Sequence, residues 1–142
     1  MALDPDGSYT ALATGHGLAF ELAGPTIAAC LERAVEAFAE SVADIHPSRL
    51  TTPHAVEITG PTPSALLLGV VEECLRWARE GRVAVCLHDG EVTDGVLHGV
   101  VETVAAGDAG LRGALPHVLS WHEVSMDGDP ASGRWRGRVV AR

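Results

Sequence analysis

The amino-acid sequence predicts an α/β (α+β) domain, a two-layer sandwich in which two amphipathic helices pack on a mixed or antiparallel sheet. Two segments carry apolar residues at helical spacing, and the second half of the chain contains four strand-like segments separated by turn sequences. A length of 142 residues is typical of one domain with one core. Because each helix has a single apolar stripe, we expect both helices to cover the same face of one sheet.

The N-terminal region is predicted to form a flexible tail of residues 1–8, followed by the domain of residues 9–142. The tail is polar and rich in turn-forming residues. Strands are then expected at Tyr9–Ala13 and Leu18–Ala23, because the glycines of Thr14-Gly15-His16-Gly17 interrupt the strand pattern between them.

The two helices are predicted at Thr26–Ala43 and Thr62–Glu80. The first follows the strand-ending sequence Gly24-Pro25-Thr26, and the second follows a strand at Ala55–Thr59 and a Gly60-Pro61-Thr62-Pro63 turn. Their apolar stripes are Ile27, Leu31, Ala34, Val35, Phe38 and Val42 in the first helix and Leu66, Leu67, Val70, Val71, Cys74, Leu75 and Ala78 in the second.

The second half of the chain is predicted to contain four strands, at Val83–Leu87, Val96–Val104, Val118–Met126 and Trp135–Val140. The turns between them are assigned to Asp89-Gly90, Asp94-Gly95, Gly107-Asp108 and residues 127–133. The last strand alternates strictly, with Arg134, Arg136 and Arg138 on one face and Trp135, Gly137 and Val139 on the other. We expect one face to join the core and the other to meet solvent or a partner.

The composition argues against several functional classes. A formal net charge of −9 disfavours direct binding of nucleic acid, which depends on basic groups that neutralise phosphates. No apolar segment reaches membrane-spanning length and the N-terminus lacks the features of a signal peptide, so we expect a cytoplasmic protein without a membrane partner. Cys30, Cys74 and Cys86 are odd in number and far apart, which favours buried, reduced thiols over disulfides.

The residue pattern also gives little support to metal binding or catalysis. The histidines show no pair at the spacing of a zinc motif. Asp127-Gly128-Asp129 begins like a calcium loop, but no glutamate follows at the bidentate position, and a hairpin turn is favoured. Because no nucleophile–base or paired-carboxylate motif stands out, an enzyme is the least favoured class.

Two stretches of the sequence resemble the archease family. The first is Thr14-Gly15-His16-Gly17-Leu18-Ala19, then Gly24-Pro25-Thr26-Ile27 and the first helix, which is similar to the family's H-T-A-D segment, G-x-T-L sequence and amphipathic helix. The second is Val118-Leu119-Ser120-Trp121-His122-Glu123-Val124, a hairpin, and residues 133–140, which resemble the family's A-[IV]-T-Y-H-[DE] strand and closing G-x-W-x-x-x-V-V strand. The resemblance covers nearly the whole chain and implies an archease-like sandwich.

The resemblance implies a non-catalytic accessory protein that activates an RtcB-type RNA ligase in tRNA splicing or RNA repair. It also implies a divalent ion, usually calcium, held by the aspartate of H-T-A-D and by an aspartate one residue from the C-terminus. Ala19 and Ala141 occupy those positions here. Since calcium needs several oxygen ligands, many of them carboxylates, we expect the family site to be lost and no cofactor to be bound. A rebuilt site would have to use residues such as His16, Glu21, Glu123 or the carboxylate of Arg142.

Six residues are candidates for contact with a ligand or partner: His16, His122, Glu123, Arg134, Arg136 and Arg138. His16 lies between glycines that permit close approach, although a turn histidine bonded to nearby backbone is the alternative. His122 and Glu123 are neighbours on a strand and need a bulge to line one pocket together. The arginines suit phosphate or carboxylate groups, although a solvated strand face that prevents edge pairing is the alternative.

The leading functional hypothesis is therefore an archease-like accessory protein whose partner is the ligase. The alternative is a repurposed small-ligand or phosphate-binding module that uses the vacated metal pocket and the three arginines of the last strand.

Overall fold

The computed structural model describes residues 7–11, 18–43, 50–105 and 121–141. Its elements are β1 (Ser8–Ala11), β2 (Leu18–Gly24), α1 (Ile27–Val42), β3 (Thr52–Thr59), α2 (Pro63–Arg79), β4 (Arg82–Thr93), β5 (Val96–Ala105), β6 (Trp121–Gly128) and β7 (Trp135–Ala141). Most of the expected N-terminal tail, the Thr14-Gly15-His16-Gly17 break and the Gly107-Asp108 turn lie outside the described residues.

Both helices match their predicted positions, because each begins at a threonine cap. The Thr26 hydroxyl accepts a hydrogen bond from the Ala29 backbone N–H at 3.0 Å, and the Thr62 hydroxyl accepts one from Ala65 N–H at 3.1 Å. At the other end of α2, Gly81 adopts φ +81°, a left-handed conformation that favours glycine and ends the helix. Neither helix in this part of the chain is long and apolar enough to span a bilayer.

The described strands form two antiparallel sheets, whereas the sequence predicted one. The four-stranded sheet has the order β1-β2-β7-β6, and the three-stranded sheet has the order β3-β5-β4. Every described strand pair is antiparallel, which agrees with the antiparallel alternative of the predicted mixed or antiparallel sheet. Each sheet combines strands from both halves of the chain, so local patterns along the sequence do not reveal the division.

The helices contact both sheets rather than a single face of one. Helix α1 packs on β4 of one sheet and β2 of the other, and α2 packs on β6 and β4. The buried surface of α1 is accordingly wider than its predicted stripe, since Ala37 and Ala39 are also buried. Phe38 and Leu67 are fully buried and belong to one core that the two helices share with both sheets.

Strand β4 continues three residues beyond the turn that Asp89-Gly90 was expected to form, which corrects that prediction. Asp89 adopts φ +53°, and the register with β5 shifts between His88 and Glu91. The two residues therefore form a β-bulge inside a strand, because the left-handed conformation that Asp tolerates serves a bulge as well as a turn. The hairpin turn is at Asp94-Gly95, where both residues have positive φ, as the sequence predicted.

Candidate functional site

The outer face of the four-stranded sheet carries most of the candidate residues that the structure describes. On β7, Gly137 and Val139 are buried toward the core, whereas Arg136 and Arg138 are exposed on the opposite face. A Cβ at Gly137 would come within 3.2 Å of Leu22 and 3.3 Å of Leu67, so glycine allows close packing on that side. We call the outer face the arginine face; it comprises Ser8, Thr10, Glu21, Ala23, Glu123, Ser125, Asp127, Arg136 and Arg138.

Strand β7 is an interior strand, which removes one interpretation of its arginines. It pairs with β2 on one side and β6 on the other. A charged face that protects an exposed edge from pairing is therefore the wrong explanation for Arg136 and Arg138, because both backbone edges of β7 are already paired. The arginines instead lie between strands that carry carboxylates.

Arg138 lies between the two carboxylates that were the remaining metal-ligand candidates. Its Nη1 is 3.9 Å from Oε1 of Glu21 on β2, and its Nε is 3.4 Å from Oε2 of Glu123 on β6. In the sheet register, Arg138 pairs with Glu21 across the β2–β7 ladder. A guanidinium with a permanent positive charge thus holds the place where a cation between these carboxylates would sit.

The second arginine of the face has different surroundings. Arg136 lies opposite Asp127 in the β6–β7 register, yet the two side chains form no ion pair within 4.0 Å in the described structure. With Arg138 and the hydroxyls of Thr10 and Ser125, they line an open concavity of about 380 Å³. This concavity presents donors and acceptors of both charges to solvent.

Arg134 does not belong to this concavity, although the sequence placed it on the same face. It precedes β7, in the turn after β6, and its backbone carbonyl accepts a hydrogen bond from Asp129 N–H at 2.7 Å. Asp129 in turn accepts hydrogen bonds from Ala131 N–H and from the Ser132 hydroxyl, both at 2.9 Å. The hydrogen bond from Ala131 N–H, followed by the one from Ser132, lowers the pKa of Asp129. The same bonds confirm the predicted hairpin turn at Asp127-Gly128-Asp129.

The two positions that the family resemblance assigns to metal binding lie on neighbouring strands. Ala19 is buried and pairs with Val140, while Ala141 pairs with Leu18. Neither alanine supplies an oxygen ligand from its side chain. Across the described ranges, no three His, Cys, Asp or Glu side chains are arranged to hold a metal ion. His16 and Arg142 lie outside those ranges.

His122 and Glu123 lie at a β-bulge, which the sequence analysis required if both side chains are to line one pocket. The β6–β7 register shifts between Trp121 and Glu123, so a bulge lies at His122. Of the two side chains only that of Glu123 is described, and it is exposed and paired with Arg138. Contact of either residue with a ligand or partner stays a prediction.

A polar cluster on the three-stranded sheet was missed by the sequence reasoning. Nε2 of His88 lies 2.8 Å from Oε2 of Glu102, and Nδ1 lies 3.0 Å from Oδ2 of Asp89. The hydrogen bond that His88 donates to Glu102, followed by the one that it donates to Asp89, raises the pKa of His88, and the same contact with His88 lowers the pKa of Glu102. Because the carboxylates lie at opposite ring nitrogens, they favour the protonated ring, and the three groups do not converge on one metal position.

The bulge in β4 explains why this cluster was missed. A regular hairpin grown from the Asp94-Gly95 turn would place His88 opposite Val101, on the face away from Glu102. The bulge moves His88 to a position opposite Val100, which puts its side chain on the same face as Glu102. A sequence signal exists in Asp89, which favours the left-handed backbone, but it indicates a turn equally well.

The thiols of the two helices are unsuited to nucleophilic chemistry. Cys30 and Cys74 are buried, as the sequence predicted, and burial raises the pKa of Cys30 to about 11 and that of Cys74 to about 12. A thiol must lose its proton to act as a nucleophile, so both remain unreactive near neutral pH. Cys86 is only half-buried, which differs from the expected full burial, and burial also raises its pKa.

The chain is similar to known proteins in its structure, whereas comparisons of its sequence find no match. No model of a known protein family matches the sequence, and no curated protein matches it significantly. Protein 1598 of Methanobacterium thermoautotrophicum is similar in structure, with a TM-score of 0.59 at 16% identity over 92% of this chain and 95% of that chain. An archease from Thermotoga maritima, described as a possible chaperone, has a TM-score of 0.59 at 13% identity over 92% of this chain and 96% of that chain. The chain thus has an archease-like fold.

Proposed function

We propose that this chain is a non-catalytic, cytoplasmic accessory protein of the archease type, and that it activates an RtcB-type RNA ligase in tRNA splicing or RNA repair. The observation that carries the proposal is the shared fold, which extends over 92% of this chain and 96% of the Thermotoga maritima archease. The ordered motif resemblance around both helices, from the Thr14-Gly15-His16-Gly17 segment to the last strand, supports the same assignment.

The proposed activity is exerted through protein contact. The high pKa values of the buried thiols of Cys30 and Cys74 give no support to a covalent mechanism. The net charge of −9 gives no support to nonspecific electrostatic binding of RNA. Binding of the ligase, with the RNA held by the ligase itself, is consistent with both properties.

We further propose that this activity needs no calcium at the family position. Ala19 and Ala141 lack carboxylates, and Glu21 and Glu123 both contact Arg138. A calcium ion at these carboxylates would lie beside a guanidinium, and the Coulomb repulsion between the two cations disfavours its binding.

The test is RNA ligation by the ligase of the same organism under multiple-turnover conditions, with and without this protein. We expect each ligase molecule to form more product when the protein is present, while single-turnover ligation by pre-activated ligase is unchanged. Multiple turnover that is unaffected by the protein would contradict the proposal.

A second candidate function follows from the concavity on the arginine face. Arg136, which has no ion-pair partner in the described structure, could hold a phosphate group in a small-ligand module. Titration with inorganic phosphate tests this candidate. Binding that is lost in Arg136→Gln would favour it over the accessory role.

A further inference from the structure

The arginine face is a sheet surface that no described element covers. Its strands bury Leu22, Met126 and Val139 on the opposite side, where both helices pack. On the outer side, Asp127, Arg136 and Arg138 are exposed. In the described parts of the chain, the charged groups of the face are therefore open to a binding partner.

The charges of this face fall into a paired half and an unpaired half. Arg138 is flanked by Glu21 and Glu123, at 3.9 and 3.4 Å. Arg136 and Asp127 are opposite one another in register but have no hydrogen bond or ion pair with each other or with other described residues. Asp129 lies near enough to Arg136 for Coulomb attraction, but neither Arg136 nor Asp127 is met by a direct ion pair with a described residue, so a partner can complement both charges.

Hydroxyl groups line the concavity beside both halves, Ser8 in the row of Arg136 and Asp127, and Thr10 and Ser125 in the row of Arg138. Ser8, Thr10 and Ser125 line the concavity, and within the described ranges none of their side chains forms a hydrogen bond. Together with Arg136 and Asp127 they offer donors and acceptors that have no direct hydrogen-bond partner among the described residues. The concavity of about 380 Å³ is open, whereas small-molecule sites bury most of their ligand.

The mixed charge of the face points to a protein as its occupant. Glu21, Glu123 and Asp127 would repel the phosphates of a nucleic acid, and a net charge of −9 adds to that repulsion. Protein interfaces, in contrast, are enriched in arginine and gain specificity from opposite charges that meet across them.

We infer that the arginine face is the docking surface for the protein partner. An acidic side chain of the partner pairs with Arg136 and a basic side chain pairs with Asp127. The identity of the partner, an RtcB-type ligase, rests on the proposed function; the position of the surface rests on the unpaired charges.

The experiment is a charge swap that keeps the net charge constant. The double variant Arg136→Asp with Asp127→Arg inverts the pattern on the face. The matched control is Glu72→Arg with Arg79→Asp, two exposed residues of α2 outside the face. Binding of each full-length variant to the purified ligase of the same organism is measured by biolayer interferometry, and thermal unfolding checks the fold. If the swap does not fold, Arg136→Gln replaces it.

We expect the swap to weaken ligase binding about tenfold or more and the control to bind like the wild type. Equal binding by swap and wild type would overturn the docking surface and leave the proposed function intact. Failure of the wild type to bind the ligase would instead remove the proposed function, and this docking assignment with it. The wild type could instead bind RNA or associate with itself, and the swap alone could abolish that binding. This result would assign the face to another occupant and overturn the inference.

Discussion

The guanidinium of Arg138 lies 3.4 Å from the carboxylate of Glu123, across the β6–β7 pair. Glu21 approaches the same guanidinium from β2, at 3.9 Å. Three neighbouring strands thus bring two carboxylates around one internal cation. Both side chains of the Arg138–Glu123 pair are about half exposed, so the pair contributes little to stability, about 0–1 kcal/mol. Its main consequence is that neither carboxylate is free for a metal ion.

Removal of this guanidinium should expose the carboxylates to divalent cations. We expect Arg138→Leu to leave the fold intact and to bind calcium weakly, with a Kd of about 1 mM, because Glu21 and Glu123 lose their shared counter-ion. Arg136→Leu is the matched control, since it removes an arginine of the same face without freeing a carboxylate pair. Calorimetric titration of both variants is the measurement. Identical titrations of the two would show that the carboxylates do not converge.

The unmodified protein should bind no calcium in the micromolar range. Ala19 and Ala141 supply no carboxylate, and a site of backbone carbonyls and a neutral histidine lacks the charge to compete with water for a hard cation. The double variant Ala19→Asp with Ala141→Asp should create or strengthen calcium binding. Calorimetry that detects tight binding by the wild type would refute this prediction and direct attention to Glu21, Glu123 and the carboxylate of Arg142.

The shared core should depend strongly on Phe38. This side chain is 0% exposed on α1, and its loss removes buried apolar area and leaves a cavity. We expect Phe38→Ala to lower the free energy of unfolding by about 3–5 kcal/mol in chemical denaturation. Leu50→Ala is the control, because Leu50 is 93% exposed and its replacement should change stability by less than about 0.5 kcal/mol. A melting temperature unchanged by Phe38→Ala would mean that the core is assigned wrongly.

His88 should titrate above the ordinary histidine value of 6.5, because Glu102 and Asp89 accept hydrogen bonds from its charged ring. A pKa that is raised by folding gives a stabilisation that is complete below the unfolded pKa and is lost as pH rises through the folded pKa. Glu102, whose pKa is lowered, adds a stabilisation that is lost as pH falls through its folded value. The pair is therefore strongest between these two folded pKa values.

NMR titration of the imidazole measures this prediction directly. Glu102→Gln should move the pKa of His88 down toward its ordinary value, whereas Glu91→Gln, an exposed neighbour on β4, should have a smaller effect. An unshifted His88 in the wild type would contradict the observed pairing.

The parts of the fold that were predictable from sequence are those encoded by neighbouring residues. Both helices were placed to within one residue at each end, since the threonine caps and the apolar period are local signals. The Asp94-Gly95 turn was found for the same reason. The length of β4 was missed because Asp89-Gly90 has the same local preference in a bulge as in a turn.

The surroundings of the arginines were not predictable, because they depend on strand order. The alternation of β7 located Arg136 and Arg138 on one face, but it carried no information on which strands flank it. Only the β1-β2-β7-β6 order brings Glu21 beside Arg138 from the other end of the chain. The separation of the strands into two sheets was hidden for the same reason, because the four-stranded sheet joins the first two strands of the chain to the last two.

Calcium-independent activation of the ligase can be measured by multiple-turnover ligation with protein that has been stripped of calcium and returned to chelator-free buffer. The ligase of the same organism is held well below the RNA concentration, and product per ligase is counted with and without this protein. We expect the calcium-free protein to raise the number of turnovers as fully as the calcium-supplemented protein does. Product per ligase that is unchanged by the protein, or that rises only after calcium is added, would contradict calcium-independent activation.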